Sequence, residues 1–225
     1  MLFSYAPGSV FSPMTGQQLE TVGREMALIH NITSSLELSF SRKEYSINST
    51  IIEPLTILKP AFKGLEGEYN WLRVTAEIVV EKLQQFDLEK FSYGYCHYDF
   101  MPKNFHLDDN GNITFFDFDF AGKGYLANDV LSFYMHYFFE IYFNRTTREE
   151  ADRSFYEFVE GYRKVRALTD EELKSIRYLG FGYFLFYLRF TFENFDDWSS
   201  IFFNSQYLKV RVGMIKKWMN DFGVL

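Results

Sequence analysis

Apolar residues recur along most of this chain at the three- and four-residue spacing of helices, and near its middle the spacing tightens to that of strands. A first helix opens at Thr15 or Gly16 and sets Leu19, Val22, Met26 and Ile29 on one face. Between residues 31 and 67 the sequence is polar and broken by Pro54, Pro60, Gly64 and Gly67, so only short elements are expected. The stripe Trp71, Val74, Ile78 and the Leu83/Phe86 pair predicts a helix from Glu68 to about Lys90. Residues 93–96 read as a short strand. Residues 105–107 and 112–116 flank Asp108-Asp109-Asn110-Gly111, whose Asn-Gly tip predicts an antiparallel hairpin. Ala121-Gly122-Lys123-Gly124 reads as flexible, and it lacks the G-x-G-x-x-G of a phosphate-binding loop. Helices are then expected over residues 126–143, from Thr147 to about Arg166, from Thr169 to about Phe192, and over residues 206–220. Thr147 and Thr169 each open a capping box. With no internal repeat or low-complexity segment, the pattern predicts one α+β domain over residues 1–225, mainly helical with a small hairpin.

The hairpin gathers the candidate chemistry. Cys96-His97-Tyr98-Asp99-Phe100-Met101-Pro102-Lys103-Asn104 feeds its first strand, and Phe116-Asp117-Phe118-Asp119 leaves its second. A hairpin brings its ends together, so Asn104 and Asp117 face one small volume, and Asp99 reaches it from the entering loop. Alone, each is an ordinary loop residue; together they form an oxygen set suited to a hard cation such as Mg2+, which keeps several waters. The spacing H-x-D-x-x-x-x-N with a downstream Asp is that of the kinase catalytic loop. There the first Asp accepts the proton of the attacking hydroxyl, and the Asn and later Asp hold metal ions. Tyr98 replaces the Arg of protein kinases, and Asp117-Phe118-Asp119 replaces Asp-Phe-Gly, which points to kinases of small molecules.

On His97, Asp99, Asn104, Asp117 and Asp119, with Asp129 in the following Asn-Asp-Val-Leu, the chain resembles the aminoglycoside phosphotransferase / choline kinase-like family, whose fold is protein-kinase-like. Leu2-Phe3-Ser4-Tyr5-Ala6-Pro7-Gly8 resembles the hinge between that family's lobes, and Met26-Ala27-Leu28-Ile29-His30 resembles one of its helices. The resemblance implies a C-terminal lobe with residues 1–13 as a hinge-like segment and no N-terminal lobe. It implies transfer of the γ-phosphate of ATP or GTP to a small-molecule hydroxyl, on an aminoglycoside, choline or a related amine. Asp99 would position or deprotonate the acceptor, Asn104 and Asp117 would hold Mg2+, and Asp119 would orient the site. His97 joins this set as the hydrogen bonder that holds the loop, and Asp129 ties the next helix back to it. The backbone around Phe3, Ser4, Tyr5 and Ala6 would face the adenine edge. Glu193, Asp196, Asp197 and Trp198 fall where the family's later helices border the acceptor, and carboxylates beside an aromatic ring suit an ammonium group; a solvated acidic helix end is the other reading. The family's phosphate-gripping Lys lies before the hinge, whereas Lys43, Lys59 and Lys63 follow it. The chain by itself is therefore expected to be a weak or inactive kinase, and the alternative is a non-catalytic relic or scaffold that keeps the fold.

Composition narrows the field. Aromatic residues make up 20% of the chain, with 27 Phe and 16 Tyr, and that surface needs burial in a core or a partner. Self-association as a homodimer, through the surface that the family's other lobe would cover, is the expectation. A formal charge of −7 disfavours nonspecific nucleic-acid binding and accommodates a cationic substrate. The single cysteine, Cys96, has no partner for an internal disulfide and reads as a buried core thiol. The N-terminus lacks a signal-like basic and apolar run, so a cytoplasmic location is expected. Residues 130–143 and 181–190 are too short to cross a membrane and carry His136, Glu140 and Arg189.

Overall fold

Thr15 starts the first helix by exchanging hydrogen bonds with Gln18: the Gln18 N–H donates to the Thr15 hydroxyl, and the Thr15 N–H donates to the Gln18 side chain. This capping box satisfies donors that a helix start leaves open. In the computed structural model the element order is α1 (Gly16–Thr33), β1 (Glu44–Tyr45), α2 (Glu53–Leu58), α3 (Glu66–Leu83), β2 (Tyr93–Cys96), β3 (Phe105–Leu107), β4 (Ile113–Phe115), β5 (Gly122–Tyr125), α4 (Ala127–Tyr142), α5 (Arg148–Arg163), α6 (Asp170–Asn194) and α7 (Ser205–Asp221). The structure describes residues 5–10, 13–194 and 203–224. The class is α+β, as the sequence pattern predicts, and no described helix is long and apolar enough to cross a membrane.

The chain divides into two compact units, Met1–Lys43 with Phe91–Leu173, and Glu44–Lys90 with Lys174–Leu225. The first holds the hairpin. β3 and β4 pair antiparallel with Phe105 opposite Phe115 and Leu107 opposite Ile113. At the tip, Gly111 takes φ +81°, a left-handed conformation natural to glycine. The Asp108 carboxylate accepts from the Asn112 side chain and from the Asn110 and Asn112 N–H groups, which hold its pKa below the usual value. The segment after the hairpin corrects the sequence reading: residues 122–125 form a strand, paired antiparallel to β2 with Gly124 opposite Gly94 and Gly122 opposite Cys96. Gly94 of β2 serves packing here. A Cβ at Gly94 would meet the Ser34 Cα at 2.7 Å and the Thr33 carbonyl at 2.8 Å.

Helices α1 and α5 cross at glycines. A Cβ on Gly23 would meet the Phe158 carbonyl oxygen at 2.0 Å, and one on Gly161 the Glu20 carbonyl oxygen at 2.1 Å. Both obstacles are backbone, so neither helix yields by turning a side chain. Gly161→Ala is accordingly expected to destabilise by about 2 kcal/mol, overpacking outweighing alanine's better helix propensity. The melting temperature should fall by about 6 °C; an unchanged or higher value would show that the crossing tolerates a methyl group.

The second unit is built from the irregular stretch and the last helices. Residues 31–67 hold short elements, as their sequence suggests: a π-helical turn (Asn48–Ile52), α2 and a 3-10 turn (Lys59–Phe62) follow in succession and bury Ile51, Leu55, Leu58 and Phe62. Helix α3 ends at Leu83, and its buried face is Leu72, Thr75, Ala76, Val79 and Leu83. The stripe expected from Trp71 and Val74 is therefore one position out; Val74 is exposed, and Trp71 carries the Lys216 ammonium 5.2 Å from its ring centre. Trp218 of α7 is fully buried and donates its indole N–H to the Arg177 carbonyl at 2.8 Å.

Candidate active site

The site begins at the N-terminus of α4, where Asp129 is buried to 1% exposure. One carboxylate oxygen accepts from the His97 N–H at 2.8 Å and the other from the Tyr98 N–H at 2.7 Å. This is the tie from helix start to loop that the sequence predicts. Its second anchor comes from α1: His30 Nε2 lies 3.0 Å from Asp129, and His30 Nδ1 lies 2.8 Å from the Tyr162 hydroxyl. Burial lifts the Tyr162 pKa well above the usual phenol value, so the hydroxyl is protonated, and Nε2–H of His30 donates to the Asp129 carboxylate, which only accepts. Residues of three helices thereby join in one hydrogen-bonded chain that ends on this carboxylate.

Every backbone N–H from His97 to Met101 is satisfied, a complete account for a buried loop. After the two bonds to Asp129, the Asp99 N–H meets His97 Nδ1 at 3.3 Å, the Phe100 N–H donates to Ser132 Oγ at 2.8 Å, and the Met101 N–H donates to the Asp99 carbonyl at 2.8 Å. His97 Nε2 lies 2.9 Å from the Phe116 carbonyl oxygen. Since that oxygen only accepts, the proton sits on Nε2 and Nδ1 receives the Asp99 N–H. Both ring nitrogens are spent on backbone, which makes His97 the brace between the loop of residues 97–104 and the hairpin. Its ring packs on Phe118 with centres 4.6 Å apart.

Asp99 and Asn104 are buried together at 2% and 4% exposure. The Asn104 amide donates to the Asp99 carbonyl at 2.7 Å and to Asp99 Oδ2 at 2.8 Å. Lys103 Nζ approaches the same Oδ2 at 2.7 Å. One carboxylate oxygen is thus occupied twice while Oδ1 stays open, and Asn104 keeps its own carbonyl oxygen as an acceptor. The backbone N–H of Phe116 donates to the backbone carbonyl of Asn104 at 3.1 Å, one residue beyond β4, and Asp117 follows at the start of the next turn. Asp117 is exposed and left-handed, at φ 62° and ψ 59°, and Tyr98 has φ 65°. Left-handed non-glycine residues cost energy and persist where surrounding bonds impose them. Asp119 is exposed as well. Among the described residues no group of three or more His, Cys, Asp and Glu is assembled for a metal, so any cation here relies on Asn104 and a carboxylate, with solvent completing its shell.

Sequence reading missed Arg42. Its guanidinium donates to three carbonyls of the turn after Asp117: Ala121 at 2.8 Å, and Phe118 and Asp119 at 3.1 Å each. Nothing in the local pattern around residue 42 marks it, since its partners lie far along the chain. The hinge-like segment is described from Tyr5. Ser9 and Leu107 exchange backbone hydrogen bonds at 3.0 Å, and His106 Nδ1 donates to the Ala6 carbonyl at 3.1 Å. Tyr5 is 85% exposed, while Phe3 and Ser4 lie outside the described residues. In the acidic cluster, Glu193 is paired with Arg189 at 3.0 Å, and Asp196, Asp197 and Trp198 lie outside the described residues. Cys96 is buried, and burial pushes its thiol well above its ordinary pKa, as expected of a core thiol and not of a nucleophile.

The sequence profile of the phosphotransferase enzyme family matches residues 1–168. The chain belongs to that family. Among relatives of this phosphotransferase-family chain, an uncharacterized protein of Deinococcus radiodurans is 25% identical over 178 residues, covering 75% of this chain and 49% of its own length. Ethanolamine kinase 2 of Mus musculus is 28% identical over 141 residues, covering 58% of this chain and 34% of that protein. The chain thus spans half or less of these relatives. Solved structures share its fold: an amicoumacin kinase in complex with AMP-PNP and Ca2+ has a TM-score of 0.67 at 19% identity, covering 97% of this chain and 64% of that one. A choline/ethanolamine kinase family protein from Mesorhizobium loti has a TM-score of 0.62 at 16% identity, covering 98% and 69%.

A roomier hollow of about 640 Å³ lies elsewhere in the first unit of this phosphotransferase-family chain, lined by Met14, His136, Glu140, Arg145, Arg153 and Glu157 among others. It carries no comparable machinery. Glu140 and Arg145 are paired with each other, burial lowers the His136 pKa so its imidazole is neutral, and burial raises the Tyr137 hydroxyl to about 12.

Proposed function

We propose that this chain carries the catalytic site of a phosphotransferase that moves the γ-phosphate of ATP or GTP to the hydroxyl of a small amine-bearing molecule, and that by itself it does so weakly. The observation that carries the reading is the Asp99 carboxylate: buried, fixed at Oδ2 by Asn104 and Lys103, and open at Oδ1. A carboxylate so held can orient an acceptor hydroxyl and take its proton as the bond to phosphorus forms. Asn104 and Asp117 are the residues to hold Mg2+, because the Asn104 amide group is spent on Asp99 and its oxygen is not, and because Asp117 is exposed just beyond the end of β4. Bound there, the ion supplies positive charge for the phosphates. Asp119 stands two residues on, in the turn that Arg42 holds, and orients the site. The names of the relatives, kinases of ethanolamine and of choline/ethanolamine, support an amine-bearing acceptor.

Thermal unfolding with Mg2+ alone, Mg-ATP and Mg-GTP tests this, with Asp117→Ala as control. A ligand at about a hundred times its Kd stabilises by about 2.7 kcal/mol, a rise of about 5–10 °C for a chain of this size. The expected result is a rise with nucleotide that the control loses. No rise with either nucleotide would favour the scaffold alternative.

A further inference from the structure

We propose that Lys103 is a catalytic residue that binds the transferring phosphoryl group directly; the inference rests on the phosphotransferase reading above. Its backbone is fixed in the short turn Pro102–Asn104, directly ahead of β3, so only the side chain has freedom. The Lys103 side chain is 61% exposed while that of Asp99 is 3% exposed, so the ammonium stands at the solvent edge of a buried carboxylate. An ammonium has three N–H donors, and the contact with Asp99 Oδ2 at 2.7 Å uses one. The others are left for a ligand at that edge.

Charge favours such a cation. The buried Asp99 carboxylate is negative, and phosphoryl transfer brings the negative charge of the phosphates to it. Other nearby cations are engaged differently. Arg42 is spent on the carbonyls of Phe118, Asp119 and Ala121, Lys123 lies over the Tyr95 ring, and Lys43 lies over the Phe120 ring. Lys103 touches the carboxylate that would receive the acceptor proton, while its free donors reach the phosphoryl group. It therefore spans the two partners of the reaction, bracing Asp99 before nucleotide arrives and neutralising the γ-phosphate afterwards.

Calorimetric titration of the 225-residue chain with Mg-AMP-PNP and with Mg-ADP tests the inference without requiring turnover, because the two ligands differ at the γ-position. In wild type, AMP-PNP should bind more tightly than ADP. Lys103→Met should weaken AMP-PNP about tenfold, the effect of one charge-assisted hydrogen bond, and change ADP affinity less than twofold. Lys103→Arg should retain the preference. AMP-PNP affinity unchanged in Lys103→Met would overturn the inference and reduce Lys103 to a brace for Asp99. An equal loss for both ligands would overturn it too, and in either case the phosphotransferase reading would stand on wild-type binding. Failure of wild type to bind either nucleotide would overturn that reading and the role of Lys103 with it.

Discussion

Replacing Asp99 with Asn is expected to lower phosphoryl transfer about a thousandfold, within the range that positioned acid–base groups contribute, and to leave the protein folded. The asparagine keeps a carbonyl oxygen for the Asn104 amide, so the contact now at 2.8 Å survives. What disappears is the proton acceptor. Lys103 loses its ionic partner, but its side chain is largely exposed and such a pair is worth at most about 1 kcal/mol, a change of about 3 °C in melting temperature. ADP release with ethanolamine as trial acceptor, read beside a melting curve, separates chemistry from folding. Turnover above a tenth of wild type, in a variant that melts normally, would remove Asp99 from the role of base.

The second large effect is expected at Asp129, where the loss is structural first. Asp129→Ala strips the acceptor from the His97 and Tyr98 N–H groups and from His30, all buried. Removing one partner from a buried charged network costs about 3–5 kcal/mol, because the remaining groups stay desolvated and unmatched. The melting temperature should fall by about 10 °C. Hydrogen exchange should localise the damage, with the His97 and Tyr98 amides losing protection before the strands of the hairpin do. Protection unchanged at those two amides would mean that the loop is held by other bonds, chiefly Ser132 to Phe100 and His97 to Phe116. A loop that loses its left-handed Tyr98 would also misdirect Asp99, so activity should fall even below the melting transition.

The hairpin was legible because its determinants are local. An Asn-Gly tip and alternating apolar strands set the register, and the register carries Asn104 and Asp117 to one end. The capping boxes of Thr147 and Thr169 were legible for the same reason, since four consecutive residues suffice to write them. The α3 face was misjudged because Trp71 and Val74 are apolar without being buried, and helical periodicity alone does not say which of two adjacent stripes meets a core. The run Ala121-Gly122-Lys123-Gly124 looked flexible because glycine loosens an isolated chain. Pairing with β2 reverses that, because the hydrogen-bonded ladder fixes backbone that an isolated chain leaves loose.

By itself the sequence determined the motif, its spacing, the hairpin that closes it and the helices around it, all of which depend on residues within a few positions of one another. Tertiary structure alone decided which groups hold the motif in working shape. His30, Tyr162 and Asp129 come from three helices, Arg42 reaches across 76 to 79 residues to the turn after Asp117, and Gly23 and Gly161 let α1 and α5 approach. The Lys103 contact with Asp99 is short-range in sequence, yet it too needed the fold, because an i,i+4 pair meets predictably on a helix and this one lies on a loop and turn whose course is set by Asp129 and Ser132. Local pattern names the chemical groups; their distances, burial and free valences follow only when distant segments are packed against them.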